Sequence, residues 1–255
     1  MNYIAELKYP GSFIAHQDEN RAWSISKLIG AMDASLLDAV ISLCLYEQAE
    51  KINAEIINTE FNVSKWTDKN NQVEQILQSL KKEQLVDDFD FYQNQLLSEQ
   101  ARIYFMKSEM EKGKFPEKYQ RRLVFIHARS FLYSLDRIDK IFKALKNENG
   151  VPDKAIKAYD KFKNAFPNLR DVRNSSAHIE YRIRGLARKT EIFPNGGSIW
   201  LENLSNNKFG SVMEDGNHGE VEVSFNSIIS ARDCIQMTID SFQWKGSPQI
   251  SPRFS

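Results

Sequence analysis

The sequence predicts a mainly α protein, an antiparallel helical bundle with a small antiparallel β-sheet inserted before its last helix. Three observations carry that prediction. Apolar residues recur three and four apart through much of the first 185 positions, the period of a helix with one buried face. In one stretch Val124, Ala128, Phe131, Leu135, Ile138, Phe142 and Leu145 keep that step without a break, as on a helix lying nearly parallel to a partner. Between about 188 and 225 the texture changes to short β-rich runs parted by Pro-Asn-Gly-Gly, Ser-Asn-Asn and Asp-Gly-Asn-His-Gly.

Residues 1 to about 27, with Tyr3, Tyr9, Pro10, Gly11, Phe13 and Trp23 in no clear period, read as an irregular strap on the bundle. A long helix follows from Ile29 to about Val63, its stripe being Leu37, Val40, Ile41, Cys44, Leu45, Ile52 and Ile56. Asp68 can cap the next helix, through Val73, Ile76, Leu77, Leu80 and Leu85. The acidic and aromatic run from Asp87 reads as a loop, and its Asp87, Asp88 and Asp90 lack the Gly or Glu of a hard-cation loop. Helices then span Ser98 to Lys112, the unbroken seam to Asn149-Gly150, and Pro152 to about Phe166. Strands are expected at 190–193, 198–204, 208–213 and 220–225, and Asn226 can cap a last helix with Ile228, Ala231, Ile235, Ile239 and Phe242 inward. The domain reading is an N-terminal helical portion (1–97), a helical domain (98–246) with the β insertion at 188–225, and a disordered tail (247–255).

With 255 residues, 42% apolar and 27% charged, the chain can bury a substantial core. The longest apolar run, Ala39 to Tyr46, is too short to span a bilayer and no signal pattern opens the chain, so a cytoplasmic protein with no membrane partner is expected. Only Cys44 and Cys234 are present, both in apolar helical patterns, which leaves no disulfide framework or cysteine metal site. No cofactor motif appears. The 34 basic and 34 acidic residues balance, yet Lys112 to Lys189 carries about +12 and the remainder about −12. A basic surface attracts phosphate backbones. Lys154, Lys157, Lys161 and Lys163 read as a solvated helix face, whereas Arg170, Arg173, Arg182, Arg184 and Arg188 crowd around one histidine and suit phosphate.

That histidine is His178, in the segment Phe166-Pro-Asn-Leu-Arg-Asp-Val-Arg-Asn-Ser-Ser-Ala-His-Ile-Glu-Tyr-Arg-Ile-Arg-Gly185. Pro167 can open and Gly185 close one helix here, with Leu169, Val172, Ser176, Ile179 and Ile183 inward and Arg170, Asn174, His178 and Arg182 in a polar row. Arg173-Asn174-x-x-x-His178 resembles the signature of the HEPN superfamily, helical bundles of which many are metal-independent ribonucleases. Arg121 and Arg122 stand in a similar relation to His127, but Leu-Val-Phe-Ile fills the interval and no polar residue follows Arg122. His127 reads as a partly buried histidine beside the seam, His16 as a loop residue and His218 as a turn residue.

The resemblance implies an endoribonuclease without metal or cofactor, in which RNA's own 2′-hydroxyl attacks the adjacent phosphate. His178 would move the proton, with Arg173 and Arg182 disfavouring its protonation, Arg173 would neutralise the phosphate, and Asn174 would orient the ring or bond the phosphate. Arg170, Arg182, Arg184 and Arg188 would bind the strand. Arg173 and His178 are five apart, about 140 degrees around a straight helix, so they converge poorly within one. The resemblance implies a remedy, a homodimer whose two signature helices line one cleft, and also an antitoxin or defence-system partner. The competing expectation is an inactive HEPN-like dimerisation or binding module, and a third is a plain bundle in which Arg173 and Arg182 pair with Asp171 and Glu180.

Overall fold

The computed structural model describes residues 3–60, 63–87, 89–184, 186 and 202–252. Its helices are α1 (Glu19–Glu60), α2 (Val63–Gln84), α3 (Phe91–Glu111), α4 (Glu117–Lys146), α5 (Asp153–Ala165), α6 (Leu169–Ala177), α7 (Ile179–Ile183) and α8 (Phe225–Ile239). Its strands are β1 (Leu7–Tyr9), β2 (Phe13–Ile14), β3 (Asn203–Ser205), β4 (Lys208–Val212), β5 (His218–Glu222), β6 (Trp244–Lys245) and β7 (Gln249–Ser251). The class is mainly α, with small antiparallel sheets.

The chain divides into two compact units, Met1–Tyr46 with Phe125–Ser255, and Glu47–Val124, rather than at the expected boundary of 97 and 98. No linker marks either division, because α1 and α4 each run unbroken through one of them. In the smaller unit α2 and α3 pack on each other, α3 buries Leu97 and Ala101, and Asp90 caps α3 by accepting from the Gln93 amide at 3.0 Å. That cap places the start of α3 at Phe91, seven residues before the expected Ser98.

In the larger unit the α4 seam is as periodic as its sequence: Ala128, Phe131, Leu135, Ile138, Phe142 and Leu145 are all buried. Burial of each large member contributes about 1.5–3 kcal/mol. The α1 stripe is rotated from the expected one. Ile25, Ile29, Met32, Leu36, Ala39, Leu43 and Tyr46 face inward, while Ile41 is 57% exposed. The cause is apolar residues all round the helix, which give the period no contrast. Within Glu19–Ile57 an 18-residue window reaches a mean hydropathy of 1.8, long and apolar enough by those two measures to cross a membrane, and 44% of it is buried in the fold. Two contacts set the direction of α1 against α4: Ser24 donates to Glu148 at 3.1 Å, and Asp38 pairs with Arg137 at 2.8 Å. Moving forward along α1 thus means moving back along α4, so the two run antiparallel.

The chain ends meet. β1 pairs antiparallel with β7 (Leu7 opposite Ser251), and β2 with β6 (Phe13 opposite Lys245). Asp33 on α1 accepts from Tyr9 at 3.0 Å and Ser251 at 2.9 Å, and Gln236 on α8 bonds both the amide and the carbonyl of Lys8. The N-terminal strap is therefore partly strand and α1 begins at Glu19, ahead of the expected Ile29. The expected disorder of 247–255 is corrected over Gln249–Ser251, which complete a sheet.

The inserted sheet has the order β3-β4-β5. Asn206 and Asn207 turn the β3–β4 hairpin at φ of 51 and 59, the left-handed pair that a two-residue hairpin requires and asparagine tolerates. The expected strand at 190–193, and residues 198–201 of the next, lie outside the described residues. The sheet packs on α6. A Cβ on Gly219 would lie 3.1 Å from Val172 Cγ2 and 2.5 Å from Met213 Sδ, so the absence of a side chain there permits the close approach. α8 starts one residue before the expected cap Asn226, with Ser224 accepting from the Ser227 amide at 3.3 Å.

Candidate active site

The expected single helix from Pro167 to Gly185 is two. α6 ends at Ala177, His178 leaves helical geometry at φ −115 and ψ 44, and α7 restarts at Ile179. Asn174, Ser175 and Ser176 have weak helix propensity, and Ser176 turns its hydroxyl to Glu202 at 2.8 Å instead of to its own helix. Glu202, 8% exposed, also lies 3.7 Å from Arg129 of α4, so one buried carboxylate ties the start of the sheet to α6 and α4. His178 still donates its amide to the Asn174 carbonyl at 3.0 Å, which closes α6 beneath its ring.

The break opens a cleft of about 660 Å³. Arg170, Arg173, Asn174 and His178 all line it. Arg173 and His178 therefore line one opening within a single chain. Arg184 is exposed and is not among the lining residues. The Arg182 side chain and Arg188 lie outside the described residues.

The side chain of Arg173 is 17% exposed, with Nε 3.0 Å from Asp136 Oδ2. The distance is that of an ion pair, yet the Nε–H makes no hydrogen bond. Asp136 is itself 3% exposed and also pairs with Lys140 at 2.8 Å. The partner of Arg173 is thus Asp136, not Asp171 as a plain bundle would have it. At the other end of the segment His178 Nδ1 lies 3.6 Å from Glu180 Oε1, beyond hydrogen-bond length, and the ring sits beside Tyr181 with centroids 6.2 Å apart.

Further residues, from outside the segment, complete the walls. Tyr159 and Lys163 come from α5, Asp139 from α4 and Glu214 from the turn between β4 and β5. The inserted sheet thus contributes to the cleft. The Tyr159 hydroxyl donates to Asp139, and its ring stacks on Phe142 at 5.7 Å. Burial, then the charge of Asp136, raises the Asp139 carboxyl above its ordinary pKa, against the lowering effects of Tyr159 and Arg170. The sequence signal for these walls was faint. Tyr159 and Lys163 are four apart on one helix face, as are Asp136 and Lys140, but nothing local ties them to residue 178.

The other histidines stay outside the cleft. His16 accepts from the Asp18 amide at 2.9 Å in the N-terminal loop. Burial lowers the pKa of His127, half-buried on α4. His218 opens β5, not a turn, and lies across Gly210, where a Cβ would stand 2.7 Å from its ring.

No family model, curated protein or solved structure matches the chain.

Proposed function

We propose that the chain is a metal-independent endoribonuclease of HEPN type, acting through Arg173, Asn174 and His178. One observation carries the reading: a histidine, two arginines and an asparagine line one open cleft at the end of α6. His178, partly exposed, accepts the 2′-hydroxyl proton of a bound RNA strand. The freed oxygen attacks the adjacent phosphorus as the bond from phosphorus to the 5′-oxygen breaks; that oxygen takes its proton from solvent water, to which His178 returns the proton it accepted. A placed acid-base group of this kind contributes about 10² to 10⁴-fold. Arg173 stands beside the negative charge that grows on the phosphate, the contribution that is usually largest. Asn174, one turn before His178, orients the ring or bonds the phosphate, and Arg170 holds the strand. The products carry 2′,3′-cyclic phosphate ends.

A homodimer and an antitoxin or defence-system partner remain part of this proposal on the resemblance alone. The cleft of one chain already collects the three residues, so a dimer serves to lengthen the groove and not to assemble the chemistry.

The pairing of Arg173 with Asp136 favours a second reading, an inactive HEPN-like binding module in which the arginine is a structural strut. RNA cleavage in the presence of chelator separates the two. The nuclease reading expects cyclic-phosphate products from the parent chain and their loss, by about 10² to 10⁴-fold, in His178→Ala. Equal cleavage by both chains, or none by the parent, would overturn it.

A further inference from the structure

Lys163 belongs to the α5 face expected to be merely solvated, yet it lines the cleft together with Arg170. Both side chains are exposed. The ion pair of Lys163 with Asp160, at 3.4 Å, joins two groups that are each about half exposed, and such pairs contribute little and are readily exchanged for another anion. Its ammonium also lies 5.1 Å from the centre of the Tyr159 ring. Tyr159 in turn bonds Asp139, a carboxylate that also feels the charge of Arg170. This end of the cleft therefore offers two cations able to turn outward, against Asp139, already bonded, and Asp171.

The distance from the proposed reacting centre matters. Arg170 stands in the first turn of α6 and His178 just past its end, eight residues on, which corresponds to about 12 Å of helix rise. That is more than one phosphate group spans, so the two ends of the cleft can hold separate phosphates of one strand.

We propose that Lys163 and Arg170 form a second phosphate subsite, distinct from the phosphate held at Arg173 and His178, and that the cleft therefore takes single-stranded RNA by two phosphates of one strand. This rests on the reading of the cleft as an RNA site and adds to it a length requirement and an axis for the strand, which lies along α6. Lys163 and Arg170 bind in this account and take no part in the chemistry.

The test is binding, not turnover. Non-cleavable 2′-O-methyl oligonucleotides of increasing length are titrated into the full chain and into the Lys163→Gln/Arg170→Gln variant, at two or more salt concentrations. The parent is expected to gain affinity once a second phosphate is present, with a salt slope steeper by about 0.7 for each phosphate engaged. The variant is expected to lose both the gain and the added slope. A parent that binds all lengths equally, or a variant that keeps the gain, overturns the subsite and leaves the RNA reading standing. A parent that binds none of them overturns both.

Discussion

Arg122 and His127 are separated by the same four residues as Arg173 and His178, and the two pairs sit in very different backbones. The first lies within α4, an unbroken helix from Glu117 to Lys146, where residues five apart point about 140 degrees away from each other. His127 is half-buried there. The second pair straddles the end of α6, and both members line one cleft. Spacing alone is thus a poor guide to chemistry. What distinguishes the second pair is a helix that stops, beside the bond of Ser176 to Glu202, which a spacing motif does not mention.

The contrast can be broken most decisively by activity. His178→Ala should lower RNA cleavage by about 10² to 10⁴-fold, and His127→Ala should leave the rate unchanged; comparable losses in both would erase the distinction. Asp136→Ala comes next. It leaves the largely buried Arg173 without its partner, and breaking a buried pair costs about 3 kcal/mol, readable as a lower denaturant midpoint. A cost near that of an exposed pair would mean that Asp136 does not hold Arg173 in place. Gly219→Ala presses a methyl group on Val172 of α6 and should cost about 1–3 kcal/mol, with cleavage falling alongside because the sheet supports the broken helix. An unchanged midpoint would show that the sheet gives way easily.

The smallest expected effect is on pH dependence. The folded state holds the Asp139 carboxyl above its ordinary pKa, so ionising it opposes folding, and stability is lost as pH rises from the ordinary carboxylate range through the folded value. Asp139→Asn should therefore be more stable than the parent at neutral pH, the difference fading in acid. Thermal unfolding at the two pH values checks it, and a parent more stable than the variant at neutral pH would contradict it.

The sequence made some of this architecture plain and hid the rest for identifiable reasons. The α4 seam was legible because its apolar residues alternate with polar ones, and every one of them from Ala128 to Leu145 is buried. The inward face of α1 was not, since Leu36 and Leu37, or Val40 and Ile41, are equally apolar and only packing chooses between them. The terminal strands escaped because β1 and β7 come from opposite ends of the chain and neither has a pattern of its own. In the cleft, Arg173, Asn174 and His178 were visible as a motif. The break was not, because no Gly or Pro marks it, and the walls at Asp139, Tyr159, Lys163 and Glu214 are brought there by tertiary packing.

The cleft can be tested independently of turnover through the histidine rings. With the four imidazole resonances assigned by single His→Ala variants, a non-cleavable 2′-O-methyl RNA is added to the full chain. The account predicts that the His178 signals shift on titration while those of His127 stay in place. Signals of His178 that do not move, or that move no more than those of His127, would contradict it.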